Sequence, residues 1–303
     1  MTTKFKIGLA LGGGAARGWA HIGVIRALAE RGVTPAVVSG ASIGSLVGAA
    51  LAGGSLDELE EWVLGLRRLD VIKLLDARLA GGVIEGNRVM AAIKDILQDR
   101  AIEDLDLPYG AVATDLQRGR PVWLREGSTI NAVRASCAMP GLFPPRRFGD
   151  RWLVDGGLVD PVPVTLCRVL GADLVIAVNL SPYRRRLAGR LPVATAPDAE
   201  PDGGREEGSY VERLQRFVID LFDSDGDQRE PALLDVVASA INIMQERVTR
   251  SRLAGDPPEL EIVPDVAEIG LMDFHRAEEA VGQGVAAVTE RSRDLDRLLE
   301  DAG

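Results

Sequence analysis

The sequence predicts an α/β protein in which strand, turn and helix succeed one another, and three observations carry that prediction. Residues 7–54, IGLALGGGAARGWAHIGVIRALAERGVTPAVVSGASIGSLVGAALAGG, read as strand, glycine turn, helix, strand, sharp turn, helix. Both turns present functional backbone on the same edge of the sheet. Further on, the strands read at Tyr109 to Thr114, Trp152 to Val154, Leu174 to Asn179 and Leu260 to Val263 alternate with stretches of helical spacing.

The first strand, Lys6 to Leu11, enters Gly12-Gly13-Gly14-Ala15-Ala16-Arg17-Gly18, and a helix follows to Arg31. Three successive glycines let backbone N–H groups point into a pocket, as an oxyanion requires. A P-loop is excluded, because Trp19 stands where the lysine would be. A dinucleotide fingerprint is disfavoured: Arg17 holds the last glycine position, and the second strand ends at Ser39-Gly40 without an acid.

The second turn is Gly40-Ala41-Ser42-Ile43-Gly44, a G-x-S-x-G sequence after Val37-Val38. A nucleophile raised on a tight strand-to-helix turn needs small neighbours, because a Cβ at either flanking position would meet the strand or the helix. Gly40 and Gly44 leave that space. The turn also sets the Ser42 hydroxyl at a helix N-terminus, where developing negative charge is favoured. The whole stretch from Val33 to Leu56 is uncharged, and Gly40, Gly44 and Gly48 mimic a membrane-helix face. Pro35 and the many glycines and serines favour a buried strand, turn and helix over a membrane span.

Ser55 and Glu58 have capping-box spacing ahead of a helix carrying Leu59, Trp62, Val63 and Leu66. Gly81-Gly82 breaks the chain, and Asn87 to Leu97 is again helical. Tyr109 to Thr114 and Pro121 to Leu124 make a hairpin across the turn at 116–120. Asp115 at the end of its first strand is read as a turn cap rather than a site residue. Ser128 caps a helix through Val133 to Ala138, and Met139-Pro140-Gly141 stops it. Phe143-Pro144-Pro145 is read as a rigid extended connection, with pocket lining as its alternative.

After the short strand Trp152 to Val154 comes Asp155-Gly156-Gly157. A carboxylate at a strand end, followed by two residues without side chains, can reach a serine hydroxyl as a base. The same pattern also describes a turn aspartate with glycines at positive φ, and it is the serine elbow upstream that favours the base.

GGGAARG, GASIG and DGG in this order resemble the patatin-like phospholipases, close to the bacterial stand-alone members and akin to the catalytic domain of neuropathy target esterase. The likeness extends through VATDL, RASCAMPG, the strand after Gly171, DPPELEI and DFHRAEEA, so it covers most of the chain. It implies a three-layer α/β sandwich with a central, mostly parallel sheet, and hydrolysis of lipid acyl esters by a Ser–Asp dyad without histidine or cofactor. Carried over by motif, Ser42 is the nucleophile, Asp155 the general base, and the amides of Gly12, Gly13 and Gly14 the oxyanion hole. Arg17 orders the glycine turn; Gly40, Gly44, Gly156 and Gly157 support the motifs. Two positions depart from the family pattern: Gly157 stands where many relatives have alanine, and Asp160 replaces a frequent asparagine, which could alter the charge near Asp155.

Beyond these motifs, Val164 to Leu170 is helical. Residues 181–209 are polar and read as a mobile surface loop. Tyr210, Val211, Leu214, Phe217, Val218, Leu221 and Phe222 then form a helical stripe, read as core-facing or as a lid or interfacial helix. Ala232 to Leu253 is a long helix, and Asp273 caps another running to Arg291, with the end helical or frayed. The chain is expected to be a single domain over 1–303, mainly helical from 210 on.

Composition narrows the partners. A net charge of −10 disfavours nucleic acid, whose phosphates need a concentrated basic face, and basic residues cluster at Arg184-Arg185-Arg186. The two cysteines, Cys137 and Cys167, are read as small packing groups, and with the absence of a leader-like start they fit a cytoplasmic protein with peripheral contact at the inner membrane surface. No metal set is read from the sequence. Two rivals to the dyad remain: a Ser–His–Asp esterase using His275, and a non-catalytic lipid- or protein-binding regulator on the same fold. His275 falls in the first turn of its helix and His21 two turns beyond the glycines, positions read as surface and local packing.

Overall fold

Alternation along the central strands sets the layers. In β1 (Ile7–Leu11), Ile7, Leu9 and Leu11 enter the larger of the two main cores, while Ala10 faces the other. In β7 (Leu174–Val178), Ile176 and Val178 take the first side and Val175 and Ala177 the second. Strands buried on both faces read as continuous apolar runs, as these do. The structure, a computed structural model, describes residues 5–74, 86–181 and 233–302.

Among the described residues the sheet has 8 strands, and its order is β5-β6-β3-β2-β1-β7-β8 with β4 paired to β3. The remaining strands are β2 (Val37–Ala41), β3 (Tyr109–Asp115), β4 (Arg120–Leu124), β5 (Arg146–Phe148), β6 (Arg151–Asp155) and β8 (Leu260–Ile262). Pairs β1–β2, β1–β7, β2–β3 and β7–β8 are parallel; β3–β4, β3–β6 and β5–β6 are antiparallel. Helices cover both faces, giving the expected three-layer α/β sandwich.

The large core packs α1 (Ala20–Glu30), α2 (Ile43–Ala52), α3 (Leu56–Leu64), α5 (Asn87–Leu97), α6 (Thr129–Ser136), α9 (Ala277–Glu290) and α10 (Ser292–Ala302). Between α3 and α5 lies the short α4 (Arg68–Leu74). Helix α7 (Val164–Val169) covers the second face through Val164 and Cys167, joined by Leu253 of α8 (Leu233–Gly255). Helices α1 and α9 cross at backbone distance. A Cβ on Gly23 would lie 1.9 Å from the Val281 carbonyl oxygen, and one on Gly284 2.1 Å from that of Ala20. A methyl group at either crossing would separate the helices.

Several local expectations hold. Arg120–Leu124 returns along β3 as the hairpin's second strand. Asp115 caps its turn, accepting from the Gln117 and Arg118 amides and pairing with the Arg118 guanidinium at 3.0 Å. Ser128 accepts from the Asn131 amide at the start of α6. The uncharged stretch 33–56 is divided between β2 and α2, and no described helix is long and apolar enough to cross a membrane.

Others are corrected. Ser55 precedes α3 at φ −115°, ψ 27°, away from the extended conformation that aims a capping hydroxyl at the first-turn amides, and its buried Oγ has no hydrogen-bond partner. Asp273 is not the cap of α9, which begins at Ala277 after Arg276; its Oδ2 instead accepts from the Gly270 amide. Arg146–Phe148 is a strand, the first half of a β5–β6 hairpin. The break at Gly81-Gly82, the triple arginine at 184–186, the loop over 181–209 beyond Ser181, and the stripe at 210–222 lie outside the described residues.

Candidate active site

The register of β3 brings the two candidate catalytic residues together. Val112 stands opposite Ala41 at the end of β2, and the next residue, Ala113, stands opposite Asp155 at the end of β6. Two adjacent positions of one strand therefore hold the serine turn and the aspartate side by side. Ser42 Oγ donates to Asp155 Oδ2 at 2.6 Å although 113 residues separate them in sequence.

The turn that raises Ser42 is strained and well supported. Ser42 has φ 52°, ψ −127°, a conformation that costs a non-glycine residue about 1–3 kcal/mol. Its amide donates to Ser136 Oγ at 2.9 Å, and Ser136 Oγ donates onward to the Val112 carbonyl at 2.6 Å. Its carbonyl accepts from the Ser45 hydroxyl and amide at 2.6 and 2.8 Å. The flanking glycines are sterically required, as expected: a Cβ on Gly40 would sit 2.4 Å from the Gly44 carbonyl oxygen, and one on Gly44 2.2 Å from that of Leu11.

Asp155 is 1% exposed. Its Oδ1 accepts from the Gly157 amide at 2.7 Å, leaving Oδ2 for the serine, and its backbone is held by Thr114 Oγ1 on the carbonyl and by the Ala138 carbonyl on the amide. Burial pushes its carboxyl up to about 6, against the pull of the Ser42 and Gly157 hydrogen bonds. Gly156 lies against β3, where a Cβ would come 2.1 Å from the Val112 carbonyl oxygen. A Cβ on Gly157 would meet the end of the Gln245 side chain at 2.6 Å, which can move aside, and Asp155 Oδ1 at 3.0 Å.

Two amides of the glycine turn are engaged by backbone carbonyls. The Gly12 amide donates to the Val178 carbonyl at 3.0 Å and the Gly13 amide to that of Pro161 at 2.9 Å. Of the three expected oxyanion donors, those two already have carbonyl partners; among the described residues the Gly14 amide has none. Arg17, at the end of the turn, is buried, and its Nε donates to the Ile269 carbonyl at 2.8 Å. His21 Nε2 bonds the Gly12 carbonyl at 2.7 Å from beneath, and burial lowers its pKa to about 4. The ring is therefore neutral at physiological pH, with the proton on Nε2.

Ser42 opens into an apolar groove that is partly open to solvent, with a cavity volume of about 100 Å³. Its walls come from Trp19, Ile43 and Leu46 near the serine, from Trp62, Leu66, Val71 and Leu74 of the α3–α4 region, from Val89, Met90 and Ile93 of α5, and from Leu142, Phe143, Met272 and Phe274. Phe143 thus lines the groove, which sets aside the reading of 143–145 as connection alone. Cys137 also lines it, and burial together with the Asp155 charge pushes its thiol up to about 12, so it stays protonated beside the serine. Cys167 is buried against the second face and both cysteines are free.

Among the described residues neither Ser42 nor Asp155 hydrogen-bonds to a histidine. His275 follows the groove residue Phe274 but precedes α9 and does not line the groove. No group of side chains suited to holding a metal ion occurs among the described residues. Asp160, 1% exposed, is clamped by Arg252 of α8 at 2.7 and 3.1 Å, and burial pushes its carboxyl up to about 6 against that pairing. Sequence reading missed Ser136 and the Arg252 clamp. A serine inside a helix and an arginine far downstream carry no local signature; the uncommon acid at 160 was the one available hint of a cationic partner.

Comparison with known proteins places these features in a wider set. The sequence model of the family described as patatin-like phospholipase matches residues 9–168. An uncharacterized NTE family protein of Mycobacterium tuberculosis is 33% identical over 337 aligned residues, covering 94% of this chain and 91% of that protein. A patatin-like phospholipase domain-containing protein of Caenorhabditis elegans is 40% identical over 182 residues, 57% of this chain and 13% of that one. Among solved structures, VipD from Legionella pneumophila aligns with a TM-score of 0.39 at 15% identity, covering 97% of this chain and 86% of that chain.

Proposed function

The chain belongs to the patatin-like phospholipase family and is an enzyme of the phospholipase and esterase class; on that premise we propose that it hydrolyses lipid carboxylic esters through Ser42 and Asp155 by way of an acyl-enzyme. The observation that carries the proposal is the 2.6 Å hydrogen bond from Ser42 Oγ to Asp155 Oδ2 at the head of an apolar groove.

Asp155 accepts the Ser42 proton as Oγ attacks the acyl carbonyl carbon. The carbonyl oxygen becomes an oxyanion beside the glycine turn, where the Gly14 amide is the donor without a carbonyl partner among the described residues, and the α2 N-terminus adds its dipole. Collapse of the tetrahedral species expels the alcohol portion of the lipid, which takes the proton from Asp155. Water then attacks the acyl-enzyme, Asp155 accepts its proton, and collapse returns that proton to Ser42 Oγ as the fatty acid leaves. A carboxylate with its pKa near 6 is a better base than an ordinary one and remains ionised at neutral pH. The groove receives the acyl chain; lining of this kind favours long apolar chains over short polar acids.

Hydrolysis of a p-nitrophenyl acyl-ester series tests this reading. Activity should rise with acyl length, fall by about 10⁴-fold or more in Ser42→Ala, and stay within about threefold of wild type in His275→Ala, since one nearby imidazole outside the dyad contributes no proton transfer. Near-complete loss in His275→Ala would instead establish the triad, and an inactive wild type on these esters and on phospholipid vesicles would favour the non-catalytic regulator.

A further inference from the structure

Helix α4 is apolar on two sides. Val71, 3% exposed, packs inward with Met272, Phe143 and Phe274 at the groove wall. Leu69 and Ile72 face outward at 68% and 36% exposed, and Leu64 at the end of α3 is 49% exposed. A helix on the surface of a water-surrounded fold needs one apolar stripe, and a second one in contact with water is unfavourable unless something covers it.

Charge indicates what covers it. Within 64–74, Arg67, Arg68 and Lys73 are all exposed and are opposed within that segment by Asp70, whose carboxylate accepts from the Arg67 amide. This basic island sits on a chain of net charge −10. Apolar side chains interleaved with cations match an anionic lipid surface, with acyl chains below and phosphates above. Position agrees with charge. The groove that begins at Ser42 is walled by Leu66, Val71 and Leu74 of this same segment, and an adjoining surface depression, rimmed by Glu61, Asp70 and Lys73, shares Trp62, Leu66 and Leu74 with it.

We propose that residues 64–74 are the surface by which this protein docks on anionic lipid bilayers, with Leu69 and Ile72 entering the acyl boundary and Arg67, Arg68 and Lys73 engaging headgroup phosphates. The acyl chain of a substrate then passes from bilayer to groove along continuous apolar surface. The repulsion of the rest of the acidic molecule from the same bilayer orients the protein with α4 toward it. The proposal rests on the acyl hydrolase reading for its purpose and on the exposed face and its charges for its substance.

Sedimentation with vesicles tests it, using phosphatidylglycerol–phosphatidylcholine mixtures against phosphatidylcholine alone, for wild type, Ser42→Ala, Leu69→Ser/Ile72→Ser and Arg67→Gln/Arg68→Gln. Wild type and Ser42→Ala should bind the anionic vesicles equally, which separates docking from hydrolysis. The Leu69→Ser/Ile72→Ser variant should bind about tenfold or more weakly while hydrolysing a soluble p-nitrophenyl ester at the wild-type rate, because neither residue lines the groove. The Arg67→Gln/Arg68→Gln variant should lose affinity together with most of its salt dependence. Unchanged vesicle binding by a folded Leu69→Ser/Ile72→Ser protein would overturn the proposal. So would self-association without lipid that this variant abolishes, which would make the face a contact between copies of the chain.

Discussion

At the scale of single residues, the proposed dyad depends on what burial does to Asp155. A carboxylate in water is too weak a base to take a proton from a serine hydroxyl at useful rates; with its pKa near 6 the group gains basicity and is still ionised at pH 7. Because the reactive form is the anion, kcat/KM should fall as pH drops through about 6 and should be level above it. An acid limb centred near the ordinary carboxylate value of about 4 would contradict the account. Asp160 has a pKa raised to the same value, so the limb should persist in Asp160→Asn if Asp155 is its source. Stability moves the opposite way. Between the unfolded value near 4 and the folded value near 6 the folded state holds protons that the unfolded state releases, so these two carboxyls cost stability as pH rises across that window. Ser42 and Asp155 were legible in the sequence because G-x-S-x-G and D-G-G each state a local steric need. Which glycine amide remains available was not, since the Val178 and Pro161 carbonyls that engage Gly12 and Gly13 arrive from distant strands and loops.

At the scale of elements, the segment from Asp155 to Pro163 joins the two halves of the site. It begins at the base, passes the Arg252-clamped Asp160, and reaches Pro161, whose carbonyl accepts the Gly13 amide. Pro163 then accepts from Ser39 Oγ on β2 at 2.8 Å. Arg252 of helix α8, beyond the residues matched by the family model, thereby pairs with the segment that links Asp155 to the glycine turn. Arg252→Gln leaves the buried Asp160 without its cation, and because Arg252 keeps 33% of its side-chain surface in solvent the cost should lie below the ~3–5 kcal/mol of a fully buried pair, at roughly 2 kcal/mol. Adding Asp160→Asn should recover most of that loss in thermal denaturation and part of the accompanying fall in kcat, with KM little changed. A double variant no more stable than Arg252→Gln would show that the pair is incidental. Most of the described strands could be read from their β-branched runs, whereas β5 could not, being three residues with two arginines. Helix α4 escaped for a related reason: Leu69, Val71, Ile72 and Leu74 fall on two faces and give no single helical stripe.

At the scale of the whole molecule, one sheet edge gathers the serine turn, the aspartate and the glycine turn, and the helices α3 to α5 close an apolar groove over them. The two turns and their shared edge follow from the order of elements in the sequence, while the groove is a product of packing among segments as distant as Trp62, Phe143 and Met272. The central claim is that Ser42 is a nucleophile activated directly by Asp155. Labelling with a long-chain fluorophosphonate, read by peptide mass and by rate, addresses both parts at once. The account predicts a single adduct on the peptide containing Ser42, formed at least about 10²-fold more slowly in a folded Asp155→Asn protein, the lower range of a general-base contribution. An adduct on another residue, or labelling of Asp155→Asn at the wild-type rate, would contradict it.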